Sequence, residues 1–408
     1  MNQTSDLAIE QAETLSNKEL LGASKLAIQA VIGVTDVVEA MHSTISRVAP
    51  PLGHRRPARA RGLSGQVYSS VRGVTRLVGA GLEAAHRWLP DLALKPAHQH
   101  QREIMLARLN GVFGDHLHAT ANPLATPMTL RRGGKTVFEQ ATGRADLPAN
   151  PRPVILIHGL CMNDLQWNSQ GHDHGQALAG DLGVAPLYLR YNTGRRISDN
   201  GRELANLLQS MVEHWPGQLD ELALVGHSMG GLLIRSACHY AQVENHDWID
   251  RLGTAIFLGS PHHGAPLERI GNLAGRLLEA SPYSAPIARL GRLRSAGIRD
   301  LRHGNLLESD WEQAQEDAVG DHRQRVDIPA GINAHAFAAS RSQKPAHRAS
   351  ELRNDGLVPV QSALGQHRDQ ARCIALPEDR QHLFCDTNHF QLLSSPTVYR
   401  RLRDCIKG

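Results

Sequence analysis

Gly226-His227-Ser228-Met229-Gly230 sets a serine between two glycines, each two residues away. Placed at the end of an apolar strand and the start of a helix, that spacing makes a tight turn that lifts a hydroxyl clear of the backbone. Leu222–Val225 runs straight into the motif, and Leu232, Leu233 and Ile234 lead away from it. Ser228 is therefore the candidate nucleophile. A serine hydroxyl is weak by itself and needs a base, a group that orients the base, and donors for a developing oxyanion.

Upstream, Val154–Ile157 leads into His158-Gly159-Leu160. A strand end followed by His-Gly positions the next backbone N–H beside the nucleophile, so Leu160 and Met229 are the expected oxyanion donors. The acid and the base follow the serine in chain order. Asp355 lies in Asn354-Asp355-Gly356-Leu357-Val358-Pro359, a turn that enters an apolar run. His389 lies in Asp386-Thr387-Asn388-His389, a loop before the final helical pattern. Asp379 and Asp386 compete for the acid, and His367 and His382 for the base. His158, Gly159, His227, His262 and Tyr191 are expected to shape the substrate site. Gly171-His172-Asp173-His174-Gly175 holds metal-ligating residue types, but residues so close in sequence seldom face one ion, and no metal is assigned.

Positioning these groups needs a sheet. Val154–Ile157, Leu187–Tyr191, Leu222–Val225, Ala255–Leu258, Ile332–Ala339 and Arg372–Leu376 are short apolar runs, separated in the first half by helical patterns at Gly201–Trp215 and Gly231–Ala241. Fully apolar strands alternating with helices predict a mostly parallel sheet with helices on both faces. Met128–Arg131 and Thr136–Glu139, joined by Gly133-Gly134, predict an antiparallel hairpin at its edge. A closing helix is expected over Thr397–Ile406.

Two segments lie outside that pattern. Residues 1–120 read as a helical extension, with apolar steps of three and four from Ile28 to Val48 and again from Val67 to Leu82. These helices are expected either to pack on the main domain or to offer a surface for peripheral membrane or oligomer contact. Residues 265–328 read as a helical cap inserted in the hydrolytic domain of 121–408, with Leu267, Ile270, Leu277 and Leu278 on one face and Ile287, Leu290 and Leu293 on another.

Composition narrows the classes. The 408 residues are 41% hydrophobic and carry a net charge of +4 with both signs dispersed, which gives no footprint for nucleic acid. Five cysteines form no CxxC pair, which argues against a zinc ribbon or a disulfide framework. The first residues lack the pattern of a secretory signal. The expected setting is cytoplasmic, with peripheral contact at the inner membrane surface as an extension of it.

The sequence resembles the α/β-hydrolase superfamily, and within it the bacterial serine lipase and esterase branch related to inositol-deacylase-type lipases. The residues that carry the resemblance are HGL (158–160), YNTG (191–194), GHSMGG (226–231), LGSPHHGAP (258–266), NDGLVPV (354–360) and NHFQLL (388–393). They span residues 125–408. Asn354 stands where related sequences often carry glycine, and asparagine also tolerates a left-handed turn. The resemblance implies an α/β-hydrolase fold, an apolar acyl-ester substrate, and two-step acyl transfer through Ser228, Asp355 and His389 with no cofactor. Transfer of the acyl group to an alcohol or amine, and a non-catalytic binding or membrane-associated role, are the alternatives.

Overall fold

The computed structural model describes residues 14–15, 21–22, 24–29, 69–77, 80, 92–93, 96–139, 144–147, 152–266, 295–312, 323–343 and 354–408. The chain divides into two compact units, Met1–Arg102 with Ala119–Ala125 and Glu103–His118 with Thr126–Gly408. In the first unit, Thr14–Leu15 pairs antiparallel with Leu92–Ala93. A helical stretch over residues 69–77 exposes Val71, Val74 and Leu77 on one side. Residues 24–29, which include Ile28, are also helical, and the remaining positions of the two expected N-terminal helices fall outside the described residues, as do all the apolar positions expected in the cap.

The second unit is built on a nine-stranded sheet. Its strands in chain order are β1 (Thr129–Arg132), β2 (Lys135–Glu139), β3 (Arg144–Ala145), β4 (Pro153–Ile157), β5 (Ala185–Arg190), β6 (Leu222–His227), β7 (Leu252–Leu258), β8 (Asn333–Ala339) and β9 (Gln381–Phe384). Across the sheet the order is β9-β8-β7-β6-β4-β5-β1-β2-β3. The six strands from β9 to β5 are parallel, and β1, β2 and β3 extend the β5 edge antiparallel.

The helices are α1 (Pro96–Ala119), α2 (His174–Leu182), α3 (Ile197–Glu213), α4 (Met229–Glu244), α5 (Ala296–His303), α6 (Glu308–Glu312), α7 (Val360–Ala363) and α8 (Pro396–Lys407). Residue alternation along the strands divides the core between two faces. Val154, Leu156, Val225, Ile256, Leu258 and Phe337 pack with Leu178 of α2 and with Val398, Leu402, Cys405 and Ile406 of α8. The opposite face takes α4, whose Gly231 lies against Phe257 of β7. Helix α3 crosses α4 closely at Gly201 and Ser236, where a Cβ on Gly201 would collide with the Ser236 side chain. Helix α2 has an explicit start and stop: Asp173 accepts from the Gln176 N–H at 3.0 Å, and Gly183 closes the helix at φ 66°.

One expected strand is absent from its place. Gln370–Arg372 forms a 3₁₀ turn and residues 373–377 carry no strand; the edge position beside β8 is taken by β9 at Gln381–Phe384. Ile374 and Leu376 are buried from a loop instead, tied down by the Ile374 N–H bond to the Gly365 carbonyl. An apolar run buried on one side of a loop mimics a strand in composition, whereas a half-polar Gln-His-Leu-Phe edge strand does not announce itself.

Strand order reverses at β4, with β5 on one side of it and β6 on the other. In open parallel sheets the crevice at the carboxyl ends of such neighbours is the place for a ligand. Among the described residues no helix is long and apolar enough to cross a membrane.

Candidate active site

The turn from β6 into α4 is strained at one residue. Ser228 has φ 54° and ψ −120°, a region that side-chain-bearing residues rarely occupy. Its N–H donates to the Leu258 carbonyl at 2.8 Å, and its carbonyl accepts from the Gly231 N–H at 3.1 Å, so the turn is held from both sides. Gly230 is required by space: a Cβ there would run into the carbonyl of Ile157 at the end of β4. The sharp turn thus depends on the direct approach of two neighbouring strands.

Ser228 opens into a narrow cleft between the loops at the carboxyl ends of the strands. The lining is Gly159, Leu160, Met162, His227, Ser228, Pro261, Ala265, Leu301, Leu357, Val358, His389 and Phe390. Leu160 follows β4 and Met229 starts α4. The first N–H of a helix has no intrahelical acceptor, and the Leu160 N–H has no acceptor among the described residues. Leu160 thus lines the same cleft as Ser228, and Met229 follows the serine at the first helical position.

His389 and Asp355 meet although 34 positions separate them. The His389 Nδ1–H donates to Asp355 Oδ2 at 2.7 Å, and the His389 N–H donates to the Asp355 carbonyl at 3.0 Å. Both side chains are buried. The other carboxylate oxygen, Oδ1, accepts from the N–H groups of Leu357 at 2.8 Å and Val358 at 2.7 Å. Asn354 makes the same kind of turn bond to the Gly356 N–H, so Asn-Asp-Gly forms a compact hook that presents one oxygen to the imidazole. The His389 loop is itself capped: Asn388 Oδ1 accepts from the N–H groups of Phe390 and Gln391 at 3.0 Å each.

A second layer holds that loop from below. His227 donates from Nε2 to the His389 carbonyl at 3.1 Å, and His174 donates from Nε2 to the Leu392 carbonyl at 2.9 Å. Burial drives His227 well below the ordinary histidine value, with the neighbouring His389 adding to the shift, and burial lowers His174 to about 4. Both are neutral imidazoles locked in one tautomer by a carbonyl. His227, expected to contact substrate, does line the cleft, but its Nε2 is engaged with the His389 loop.

The other expected binding residues lie at different depths. Gly159 is on the cleft wall. His158 is fully buried beside it, stacked on Tyr191 at 4.5 Å between centroids and lowered to about 3 by burial. Tyr191 donates its hydroxyl to the His158 carbonyl at 3.0 Å. His262 is buried against Phe257 and 3.5 Å from an Arg235 guanidinium nitrogen. None of these three is among the residues that line the cleft. They support the loops, because a buried aromatic ring at a strand end fills space that the loop backbone needs.

Of the competing residues, His382 faces His335 across β8 and β9, and burial lowers each to about 4. His367 approaches His263 with ring centroids 4.9 Å apart. In the 171–175 segment, His172 Nε2 and His174 Nδ1 lie 2.8 Å apart, and Asp173 is occupied by the Gln176 N–H and by the Tyr188 hydroxyl at 2.6 Å. Those donors are spent on the fold.

Sequence reasoning missed the rest of the lining. Leu357-Val358 and Phe390 sit directly beyond Asp355 and His389, so their adjacency was a usable signal. Leu301 lies within the segment expected as a cap but was not singled out there: it reaches the cleft because Asp300 is pinned by Arg196 at 2.7 Å and by the Ile197 N–H at 3.0 Å.

A parallel sheet whose strained serine turn stands at the strand-order reversal, with a histidine and an aspartate delivered from later loops, defines an α/β-hydrolase fold. The chain has the α/β-hydrolase fold. More particularly, residues 148–330, somewhat under half of the chain, match the family described as PGAP1-like alpha/beta domain. Solved structures similar to it include the Bacillus licheniformis lipase BlEst2 in mature form, at 19% identity over 63% of this chain and 93% of that one, with a TM-score of 0.39. Aspergillus fumigatus lipase B is 13% identical over 63% of this chain and 53% of that one, with a TM-score of 0.36. An esterase of Pyrobaculum calidifontis is 13% identical over 63% and 75%, also with a TM-score of 0.36. No curated protein sequence matches the chain.

Proposed function

We propose that the chain is a serine hydrolase of carboxylic esters, with Ser228 as nucleophile, His389 as base and Asp355 as the group that orients it. The single observation that carries this reading is the His389–Asp355 bond of 2.7 Å on the wall of the cleft into which the strained Ser228 turn opens.

In the reaction, His389 Nε2 takes the proton from Ser228 Oγ as that oxygen attacks the ester carbonyl. The carbonyl oxygen becomes an oxyanion and accepts from the Leu160 and Met229 N–H groups. Collapse breaks the carbon–oxygen bond to the alcohol, which leaves with the proton from His389. Water then gives its proton to His389, attacks the acyl-enzyme, and the acid departs as Ser228 regains its hydrogen. Asp355 keeps its charge throughout and holds Nδ1 protonated. Chemistry is confined to this chain's own groups.

The lining supports an apolar acyl group. Leu160, Met162, Leu301, Leu357, Val358 and Phe390 surround the serine, and among the described residues no lysine, arginine or carboxylate side chain lines the cleft.

A fluorophosphonate probe tests the nucleophile, applied to wild type and Ser228→Ala side by side. Labelling of wild type alone, with hydrolysis of apolar esters from acetyl upward, is the expected result. An added alcohol that captures the acyl group faster than water does would turn the reading to acyl transfer. Folded wild-type protein that takes no label would overturn it in favour of a binding role.

A further inference from the structure

We propose that His335, His382 and Cys405 form a zinc site separate from the proposed hydrolytic centre. Three elements bring them together. His335 is the third residue of β8 and His382 the second of β9, and Phe337 pairs with His382, so both imidazoles stand on the same face of the sheet. Helix α8 covers that face through Val398, Leu402 and Ile406, and brings Cys405 onto it from near the end of the chain. One donor atom from each residue lies within 4.8 Å of the others, and among the described residues no other group of this kind occurs.

The spacing fits a metal. A tetrahedral zinc with Zn–N near 2.0–2.1 Å and Zn–S near 2.3 Å holds its donors roughly 3.3–3.6 Å apart. His335 Nδ1 and His382 Nε2 already stand at 3.2 Å, and the thiol, within 4.8 Å of both, completes the face after a small side-chain adjustment. His335 is buried, at 8% exposure, with its Nδ1 turned to His382 Nε2. A lone histidine–histidine bond leaves this cluster short of partners, whereas a cation takes up the lone pairs that face one another.

Two imidazoles and one thiol make a donor set of intermediate softness, which suits zinc, with water in the fourth position on the solvent side of half-buried His382. On binding, the Cys405 thiol releases its proton to solvent and the thiolate cancels one of the two metal charges. The charged groups that face the cluster are Arg380, Arg401, Asp379 and Asp404. The ion would tie the last strand to the closing helix. That strand leads through Cys385 and Asp386 into the His389 loop, so the site would brace the loop from beneath.

The test uses full-length protein without an affinity tag, stripped with chelator and titrated with cobalt(II) as a spectroscopic stand-in for zinc. One equivalent should produce tetrahedral ligand-field bands and a thiolate-to-cobalt charge-transfer band, both abolished by zinc. Cys405→Ser should lose the charge-transfer band, and Cys405→Ser and His382→Gln should each bind zinc at least about 100-fold more weakly, while cooperative thermal unfolding shows that they fold. Zinc should raise the melting temperature of wild type and leave that of either variant unchanged. If Cys405→Ser does not fold, His382→Gln at its half-exposed position supplies the readout. Wild type without a charge-transfer band, or His382→Gln binding as tightly as wild type, would show only adventitious binding to other histidines and overturn the proposal.

Discussion

Asp355 engages both carboxylate oxygens, one with two backbone N–H groups and the other with one imidazole. That arrangement makes its replacement informative. Asp355→Asn keeps the shape and the backbone bonds, but an amide directs the wrong tautomer of His389, with the proton on the nitrogen that should face Ser228. The expected result is a fall of about 10⁴-fold in kcat with the fold intact, read by ester turnover beside thermal unfolding. Loss of stability without a selective loss of turnover would make the residue structural. His227 and His174 are neutral donors to carbonyls of the same loop, so the imidazole proposed as base is held on two sides by rings that carry no charge near pH 7.

Two elements carry the geometry that single residues exploit. The β6–α4 turn stores strain at Ser228, and Gly230 lets it approach β4. Gly230→Ala drives a methyl into the Ile157 carbonyl, which is backbone and cannot swing away. We expect a loss of about 2–4 kcal/mol, measured by denaturant unfolding, together with loss of probe labelling. Helix α5 forms part of the cleft wall because buried Asp300 binds Arg196, the Ile197 N–H and the Asn305 amide. Asp300→Ala leaves these donors without an acceptor at about 3–5 kcal/mol. Because Leu301 then loses its anchor, KM for apolar esters should rise more than kcat falls; an unchanged KM would detach α5 from substrate binding.

At the scale of the molecule, buried histidines set the acid limit. His158 is lowered to about 3 and His174 to about 4, and His227 and His262 lie well below the ordinary value, burial being the first cause in each case. In the unfolded chain each titrates near 6.5. Between that value and the folded one the unfolded state binds more protons, so stability present above about pH 6.5 is lost as the pH falls. Four such groups together should cost roughly 4 kcal/mol between pH 6.5 and 5.5. Chemical denaturation across that range checks the slope, and a flat profile would mean that these rings are protonated in the fold. The two compact units also bear on cutting the chain: Glu103–His118 of α1 groups with the sheet unit, and Ser295 donates to the Gly111 carbonyl while the Ala296 N–H donates to Asp115. The expected extension of 1–120 therefore includes a segment that helps to shape the α5 wall.

Residues 226–230, 158–160 and 354–359 were legible in the sequence because turns are local: glycine spacing, an Asn-Asp-Gly hook and an apolar strand before each motif follow from short-range sterics. The parallel sheet was legible for the same reason, since fully apolar runs cannot stand on a wet face. Contacts across long separations were not. Nothing in the spacing distinguishes His227, which braces the His389 loop, from His262, which does not reach the cleft. Nor does composition separate the buried loop at Ile374 from the true edge strand at Gln381–Phe384. Leu301 on the wall, and His335 and His382 against Cys405, depend on which elements lie side by side. That was decided by the packing of α5 and α8 on the sheet, where burial is shared among residues tens to hundreds of positions apart.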